Sequence, residues 1–103
     1  MAKPTRLSQQ KIERGLAKLN GWKRNRNALT KEFTLSSFTG AVKFVAKIAP
    51  IANRMDHHPD LQLCRYKRVK IMLTTHDAGG ITQKDFDLAA KIDTLVPHGA
   101  GLA

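Results

Sequence analysis

The sequence feature that most constrains the fold is a long amphipathic segment lying between two alternating ones. Over 36–55, apolar residues recur every three or four positions, which predicts a helix that begins at Ser36 or Ser37. Over 29–35 and 69–73, apolar and polar residues alternate instead, which predicts strands with one buried face. Because the connections between these segments are short, antiparallel pairing is favoured over parallel crossovers.

Weaker patterns supply the remaining elements. A first helix is predicted after Ser8, and the stretch 22–27 is predicted to pair with the strand that follows it. Leu61 and Leu63 begin a third strand, and a capping box over 82–85 starts a last helix. The predicted order is αββαββα, an α+β fold in which a four-stranded antiparallel sheet carries its helices on one face.

The length and the composition fit one domain. A chain of 103 residues with 42% hydrophobic residues can bury a single modest core. We therefore expect one domain over 1–103, with loose tails at 1–6 and 98–103 and with Pro97 ending the last helix.

The net charge of +10 raises the question of nucleic-acid binding. Nine of the 18 basic residues lie in the first 31 positions, whereas six of the eight acidic residues lie from Asp56 onward. Aromatic residues do not alternate with the charges, and no recognition-helix or zinc-finger pattern is present. The charge therefore predicts a solvated basic face, with nucleic-acid binding limited to weak attraction.

The apolar runs, the N-terminal segment and the cysteine count indicate where in the cell the protein is located. No apolar run approaches the roughly 18 residues of a membrane span. The basic start lacks the apolar core of a secretory signal, and a short organellar presequence is kept as an alternative. Cys64 is the one cysteine, which excludes an internal disulfide and is interpreted as a half-buried strand residue. We expect a reduced, cytoplasmic protein without a membrane anchor.

Three histidines stand at predicted element ends. His57 and His58 follow the long helix directly, and His76 ends a strand on the face opposite its apolar residues. Adjacent helical residues diverge by about 100 degrees, so the histidine pair is poorly placed to chelate one metal ion. Helix-end capping would explain the histidines structurally, whereas general acid–base catalysis would use imidazoles that titrate near neutral pH. If the helix exit and the strand end converge, the three side chains line one pocket.

The sequence around these histidines resembles the pterin-4a-carbinolamine dehydratases. The resemblance rests on "DHHPDL" followed by "RYKRVKIMLTTHDAGGITQKDFDLA", with "LNGWKR" and "SSFTGAVKFVAKIA" earlier in the chain. The specific part is the order His-His-Pro, Tyr-x-x-Val, Thr-His, Gly-Gly-Ile-Thr and a helical aspartate. The resemblance implies dehydration of a 4a-hydroxytetrahydropterin to the quinonoid dihydropterin, in tetrahydrobiopterin recycling, with neither metal nor cofactor.

The resemblance also implies residue roles. His57 and His76 are the expected acid–base pair, which moves the N5 proton and expels the 4a-hydroxyl, and His58 is expected to orient the pterin. The residues expected to contact the substrate through side chain or backbone are Asp56, Pro59, Thr75, Asp77 and Ala78.

Two positions depart from the family pattern. Asn53 stands where an acidic residue is frequent, four positions before the first histidine, and an amide carries no charge to place beside an imidazolium. The interval from His-His-Pro to Tyr66 is one residue longer than usual. We expect a β-bulge near Cys64 to absorb it and to keep Leu61 and Leu63 on the core face.

Assembly and a second role are also implied. Family members form dimers or dimers of dimers, and some animal members are dimerisation cofactors that bind the helices of a homeodomain transcription factor. The strand 28–35 has few charges to defend it as an edge, whereas the hairpin 61–76 carries four basic residues. We expect a homodimer or homotetramer, and we keep a coactivator role as the alternative to an enzyme.

Overall fold

The computed structural model describes residues 5–96 and 101–102. Within them the order is three α-helices and one main sheet, as the sequence predicts. The elements are α1 (Gln9–Ala17), β1 (Lys23–Asn25), β2 (Ala28–Thr34), α2 (Phe38–Met55), β3 (Asp60–Cys64), β4 (Arg68–Leu73), a 3-10 turn (His76–Ala78), α3 (Gln83–Asp93) and β5 (Gly101–Leu102). Pro97, the predicted end of the last helix, lies outside the described residues.

The sheet is antiparallel and its main strands run in the order β1-β2-β4-β3. Alternate residues of the two inner strands, such as Leu29, Phe33 and Ile71, are fully buried, and they share one core with buried residues of all three helices. The intervening strand residues, such as Thr30 and Met72, are only half-buried. The predicted α+β fold, with helices on one face of an antiparallel sheet, is therefore confirmed.

Aromatic side chains fill the centre of the core. The ring of Phe33 lies 5.0 Å from that of Phe44 on α2, and Trp22 meets Phe33 edge to face at 6.1 Å, measured between centroids. Burial of each such side chain contributes about 2 kcal/mol to stability. This packing holds α2, and with it the exit where the histidine pair lies, against the sheet.

The core also contains a cation. Lys31 lies on the core face of β2, where its ammonium group donates to the carbonyl of Asn20 at 2.7 Å and to Asp93 Oδ1 at 2.9 Å. The Trp22 indole donates to both oxygens of Asp93 at 3.1 Å. Because the charge is paired and hydrogen-bonded, its burial is tolerated, and it ties α3 to the turn that precedes β1.

The expectation that 28–35 forms an exposed edge is wrong. β2 is an inner strand, since β4 pairs with one side of it and β1 and β5 pair with the other. The physical reason is burial: β4 is the more apolar strand of its hairpin, so it docks against β2 and leaves β3 outside. β3 is the long edge strand of the sheet.

The predicted β-bulge near Cys64 is also absent. β3 and β4 keep one register from Asp60 opposite Met72 to Cys64 opposite Arg68. The loop between them instead holds Arg65 (φ 49°) and Tyr66 (φ 54°) in the left-handed conformation. Leu61 thus stays on the face of the sheet that carries the core, and Cys64 is half-buried as expected.

Two residues of the expected C-terminal tail form a strand. Gly101–Leu102 forms β5, which pairs with Phe33 and Thr34 of β2. The three residues of β1 cover only Ala28 to Thr30, so the backbone groups of β2 further along are free to accept a second short partner. The rest of the predicted tail, 98–100 and 103, lies outside the described residues.

Candidate active site

A residue in the left-handed conformation, Asp56, ends α2 directly before the two adjacent histidines. Asp56 caps the helix with φ 49° and ψ 43°, and its backbone N–H donates to Asn53 at 3.2 Å. The N–H of His57 donates to the carbonyl of Ala52 at 3.1 Å. Aspartate tolerates this conformation better than most residues. As a result His57 is buried, with 8% of its surface exposed, whereas His58 is exposed.

The buried histidine forms a short hydrogen bond with a carboxylate of α3. His57 Nε2 lies 2.6 Å from Asp85 Oδ1, and Asp85 has no exposed surface. Asp85 is the third residue of α3 and belongs to the capping box predicted from the sequence, in which its side chain accepts from the backbone N–H of Thr82. One carboxylate therefore caps α3 and holds the ring of His57.

The same carboxylate reaches the end of β4. Thr75 Oγ1 lies 2.9 Å from Asp85 Oδ2 and 2.8 Å from Thr82 Oγ1. Thr75 directly precedes His76, so this chain of hydrogen bonds joins the exit of α2 to the strand end. The convergence of helix exit and strand end, which the sequence left conditional, is present in the structure.

The two exposed histidines flank this network. His58 Nε2 lies 3.0 Å from Asn53 Oδ1, so the residue that departs from the family pattern contacts His58 and not the buried His57. His76 begins the 3-10 turn, where its carbonyl accepts from Gly79 at 3.0 Å and its side chain is exposed. Two accessible imidazoles and one buried, carboxylate-bound imidazole make a set that can donate and accept protons.

The remaining expected contact residues divide into two groups. Asp56 and Asp77 are exposed, and Pro59 and Ala78 are half-buried, so a bound molecule can reach all four. Thr75 differs, because it is 5% exposed and its hydroxyl is committed to Asp85 and Thr82. Its backbone N–H and carbonyl are also bonded internally, to residues 78 and 80.

The bond between Asp85 and His57 was not predicted from the sequence: Asp85 was interpreted as a helix cap, and the helical aspartate of the family motif was given no role. A further signal was present in the sequence. Asp85 lies on the apolar stripe of α3, three, four and seven residues before Leu88, Ala89 and Ile92, which are all fully buried. A carboxylate on the buried face of a helix requires a buried partner, and His57 supplies it.

Two further findings concern ligands. Among the described residues, no group of three or more His, Cys, Asp or Glu side chains is arranged to hold a metal ion. A cavity of about 410 Å³ lies between α1 and α3, where Arg14 and Phe86 are among its lining residues, and it does not include the histidines. His58 and His76 are exposed, and the chemistry of the histidine–carboxylate network outweighs the larger volume elsewhere as evidence for a site.

Comparison with known proteins gives one consistent result. The family described as "Pterin 4 alpha carbinolamine dehydratase" matches residues 5–95. A relative from Roseiflexus sp. (strain RS-1), named after this dehydratase, is 50% identical over 92 residues, which cover 89% of this chain and 98% of the relative. A relative of the same name from Sulfolobus acidocaldarius is 47% identical over 87% of this chain and 98% of its own length.

A solved structure agrees with these relatives. The crystal structure of a transcriptional coactivator/pterin dehydratase from Brucella melitensis superposes with a TM-score of 0.85 and 32% sequence identity, and the match covers 90% of this chain and all of the other. The match of fold, of sequence and of most of the chain length confirms the resemblance stated from the motifs. The chain belongs to the pterin 4 alpha carbinolamine dehydratase family.

Proposed function

We propose that this protein dehydrates 4a-hydroxytetrahydropterin to quinonoid dihydropterin and water, as a step in tetrahydrobiopterin recycling. The observation that carries the proposal is the buried pair of His57 and Asp85, 2.6 Å apart, beside the exposed imidazoles of His58 and His76. Family membership supports the same activity. No cofactor and no metal take part in the proposed reaction.

The reaction needs two proton transfers. A base removes the N5 proton, the N5 electron pair forms the N5–C4a double bond, and the C4a–O bond breaks as an acid protonates the departing hydroxyl, which leaves as water. His57 and His76 are proposed as this acid–base pair, with His58 orienting the pterin. Positioned general acids and bases typically contribute about 10²- to 10⁴-fold each to the rate.

The burial of Asp85 matters to this role. A carboxylate without exposed surface interacts with an imidazolium more strongly than one in water does, because the surroundings screen the charges less. When His57 accepts a proton, the positive charge therefore forms beside a fixed negative charge. Asp85 thus stabilises the protonated ring and holds its orientation, as buried carboxylates beside catalytic histidines do elsewhere.

Substrate contacts are proposed for the accessible residues around the histidines. Asp56, Pro59, Asp77 and Ala78 border the cluster at the exit of α2 and in the 3-10 turn. Hydrogen bonds from a carboxylate or a backbone group would suit the amide and amine edges of a pterin. Thr75, whose hydroxyl faces inward, is proposed as a supporting residue that does not contact the pterin.

The test is an assay of quinonoid dihydropterin formation by the purified chain. The 4a-hydroxytetrahydropterin is generated in situ, and the accelerated appearance of the quinonoid product is followed by absorbance. The matched control is Lys11→Ala, at an exposed position of α1, which should keep the wild-type rate. A rate equal to the uncatalysed background with the folded wild-type protein would refute the proposed activity.

We further propose that the chain self-associates. Among the described residues, the large apolar side chains that remain exposed lie on α2, on β3 and in the loop after β3; they are Phe38 (55%), Val42 (44%), Leu61 (38%), Leu63 (40%) and Tyr66 (61%). β3 also presents an unpaired strand edge. We call these five side chains the apolar patch, and a second copy of the chain is its proposed partner, in a homodimer or homotetramer.

The apolar patch also supports the second candidate function, that of a protein-binding coactivator. The Brucella melitensis relative carries both a coactivator and a dehydratase in its name. A partner helix would then replace a second copy on the same surface, so the two roles compete for one site. Catalysis is the primary proposal because the histidine–carboxylate network is not needed to bind a helix.

Location and other partners complete the proposal. No helix among the described residues is long and apolar enough to cross a membrane. We propose that the protein works in the cytoplasm, where the free thiol of Cys64 stays reduced. Attraction to nucleic acid is proposed to be weak and due to net charge alone.

A further inference from the structure

We propose that Thr75 and Thr82 are positioning residues, which hold His57 with its proton on Nε2 and leave Nδ1 as the nitrogen that exchanges protons with the substrate. The part of this proposal that concerns Nδ1 rests on the dehydration proposed above. The part that concerns the position of the proton rests only on the hydrogen bonds of the network.

The direction of each bond follows from the number of protons available. A threonine hydroxyl carries one proton, and an ionised carboxylate carries none. Thr75 must therefore donate its proton to Asp85 Oδ2 across 2.9 Å, and it can only accept from Thr82 across 2.8 Å. Thr82 Oγ1 in turn accepts from the backbone N–H of Lys84 at 3.2 Å. The chain of bonds runs one way, from the α3 backbone to the carboxylate.

The two oxygens of Asp85 then have different tasks. Oδ2 accepts from Thr75 at 2.9 Å and from the Thr82 backbone N–H at 2.9 Å. Two donors on one oxygen stabilise the ionised form of the carboxylate, so that Oδ1 also acts as an acceptor. His57 Nε2, at 2.6 Å from Oδ1, must be the donor. In the neutral ring, Nδ1 then carries the free electron pair.

Because the four residues are buried, a change in this pattern of hydrogen bonds is energetically unfavourable. The exposed fractions are 5% for Thr75, 1% for Thr82, 0% for Asp85 and 8% for His57, so water has little access to replace a missing bond. Among the described residues, every buried side-chain nitrogen or oxygen has a hydrogen-bond partner. Leaving a buried hydroxyl or carboxylate without a partner is unfavourable enough to keep one pattern of bonds dominant.

The hydrogen-bond network predicts a specific effect of Asp85→Asn on the ring of His57. The hydroxyl of Thr75 and the N–H of Thr82 still require an acceptor, so the amide oxygen must take the place of Oδ2. The amide NH₂ then faces His57 Nε2 and must donate to it, which moves the ring proton to Nδ1. If Asp85 only capped α3, its replacement by Asn would not move the proton of the His57 ring.

The experiment is NMR of the full chain with ¹⁵N-labelled histidine, since a protonated and a bare ring nitrogen have well-separated shifts. In the neutral state of the wild type, we expect His57 with a protonated Nε2 and a bare Nδ1. Asp85→Asn should show the reverse, and Thr75→Val should show a mixture of both forms. Thr75→Ser, which restores the hydroxyl, should return to the wild-type pattern.

Kinetics of the same variants give the second measurement. Thr75→Val should lower kcat about 10-fold while KM stays within about 2-fold, and Thr75→Ser should recover kcat. Thr30→Val is the matched control, because it makes the same change on a neighbouring strand with a hydroxyl that takes no part in the network. It should change neither the ring shifts nor kcat.

The outcomes separate the two proposals. A bare Nε2 on His57 in the wild type, or a protonated Nε2 in folded Asp85→Asn, would overturn the positioning role. Wild-type ring shifts and kcat in Thr75→Val would overturn it too. A folded protein with the expected ring shifts and no dehydration would support the proton position and refute the proposed function.

Discussion

Leu61 and Ile71 face each other across the β3–β4 pair, yet Ile71 is fully buried and 38% of Leu61 is exposed. The same contrast holds for the next pair on that face, in which Val69 is buried and Leu63 is 40% exposed. Helix α2 packs against β4, whereas Leu61 and Leu63 of the outer strand keep part of their apolar surface exposed.

The first prediction concerns this uncovered face. Light scattering at micromolar concentration should give at least twice the chain mass of 11.5 kDa, because a second copy buries the apolar patch. Leu61→Lys combined with Leu63→Lys should shift the protein to one chain. Gln62→Lys, which adds charge to the other face of the same strand, is the control. A wild-type mass near 11.5 kDa, or equal dissociation by the control, would contradict the proposal.

The second prediction concerns the histidines. His57→Ala and His76→Ala should each lower kcat/KM by about 10²-fold or more, the scale expected for loss of a general acid or base. His58→Ala should act mainly on KM, because its proposed role is orientation. Steady-state kinetics of the three variants decide between these roles, and wild-type turnover in all three would remove the acid–base assignment.

The third prediction concerns metal. Turnover should survive exhaustive dialysis against a chelator, since the proposed mechanism moves protons through imidazoles alone. The assay compares the chelated protein with an untreated sample and with one supplied with zinc. Loss of turnover on chelation and its recovery with zinc would count against a metal-free reaction.

The fourth prediction concerns the buried cation. Asp93→Ala should lower the free energy of unfolding by about 2 kcal/mol, because it leaves the buried ammonium of Lys31 without its carboxylate. The estimate lies below the range typical of buried pairs because the Asp93 side chain is 26% exposed. Denaturant titration followed by fluorescence of Trp22, the single tryptophan, measures the change. Asp87→Ala, at an exposed position of α3, is the control, and equal destabilisation by both variants would rule out a special role for the pair.

The fifth prediction concerns the net charge. Binding to duplex DNA should fall steeply between about 50 and 200 mM salt, as charge-driven binding does, whereas turnover should change little. Binding measured by fluorescence anisotropy over this range, with two unrelated duplexes, is the check. Salt-resistant binding that favours one duplex would show recognition beyond simple attraction.

Local patterns were sufficient for the elements, and they correctly placed His57, His58 and His76 at the ends of elements. The alternation over 69–73 and the helical spacing over 36–55 each reflect a single buried face, and the structure places β4 and α2 there. The capping box at Thr82 and Asp85 was also readable, because its two bonds join residues only three positions apart. The motif order was sufficient for the family.

Errors arose where a residue's role depends on distant neighbours. The sequence around 28–35 does not indicate whether β1, β4 or solvent lies beside this strand. Its inner position in the sheet was therefore not predicted. The strand near Cys64 could be bulged or regular, and the uninterrupted β3–β4 register shows that it is regular. Asp85 was seen as a cap, but its bond to His57 spans 28 positions.

The sequence by itself determined which segments form helices and strands, which face of each is apolar, and which family the chain belongs to, because these follow from spacing and from residue identity. Only the tertiary structure decided which strand lies at the edge and which histidine is buried. It also decided that His57, Thr75 and Thr82 share the carboxylate of Asp85. The physical reason is that burial and hydrogen bonding are properties of the packed neighbours, which here come from three different elements of the chain.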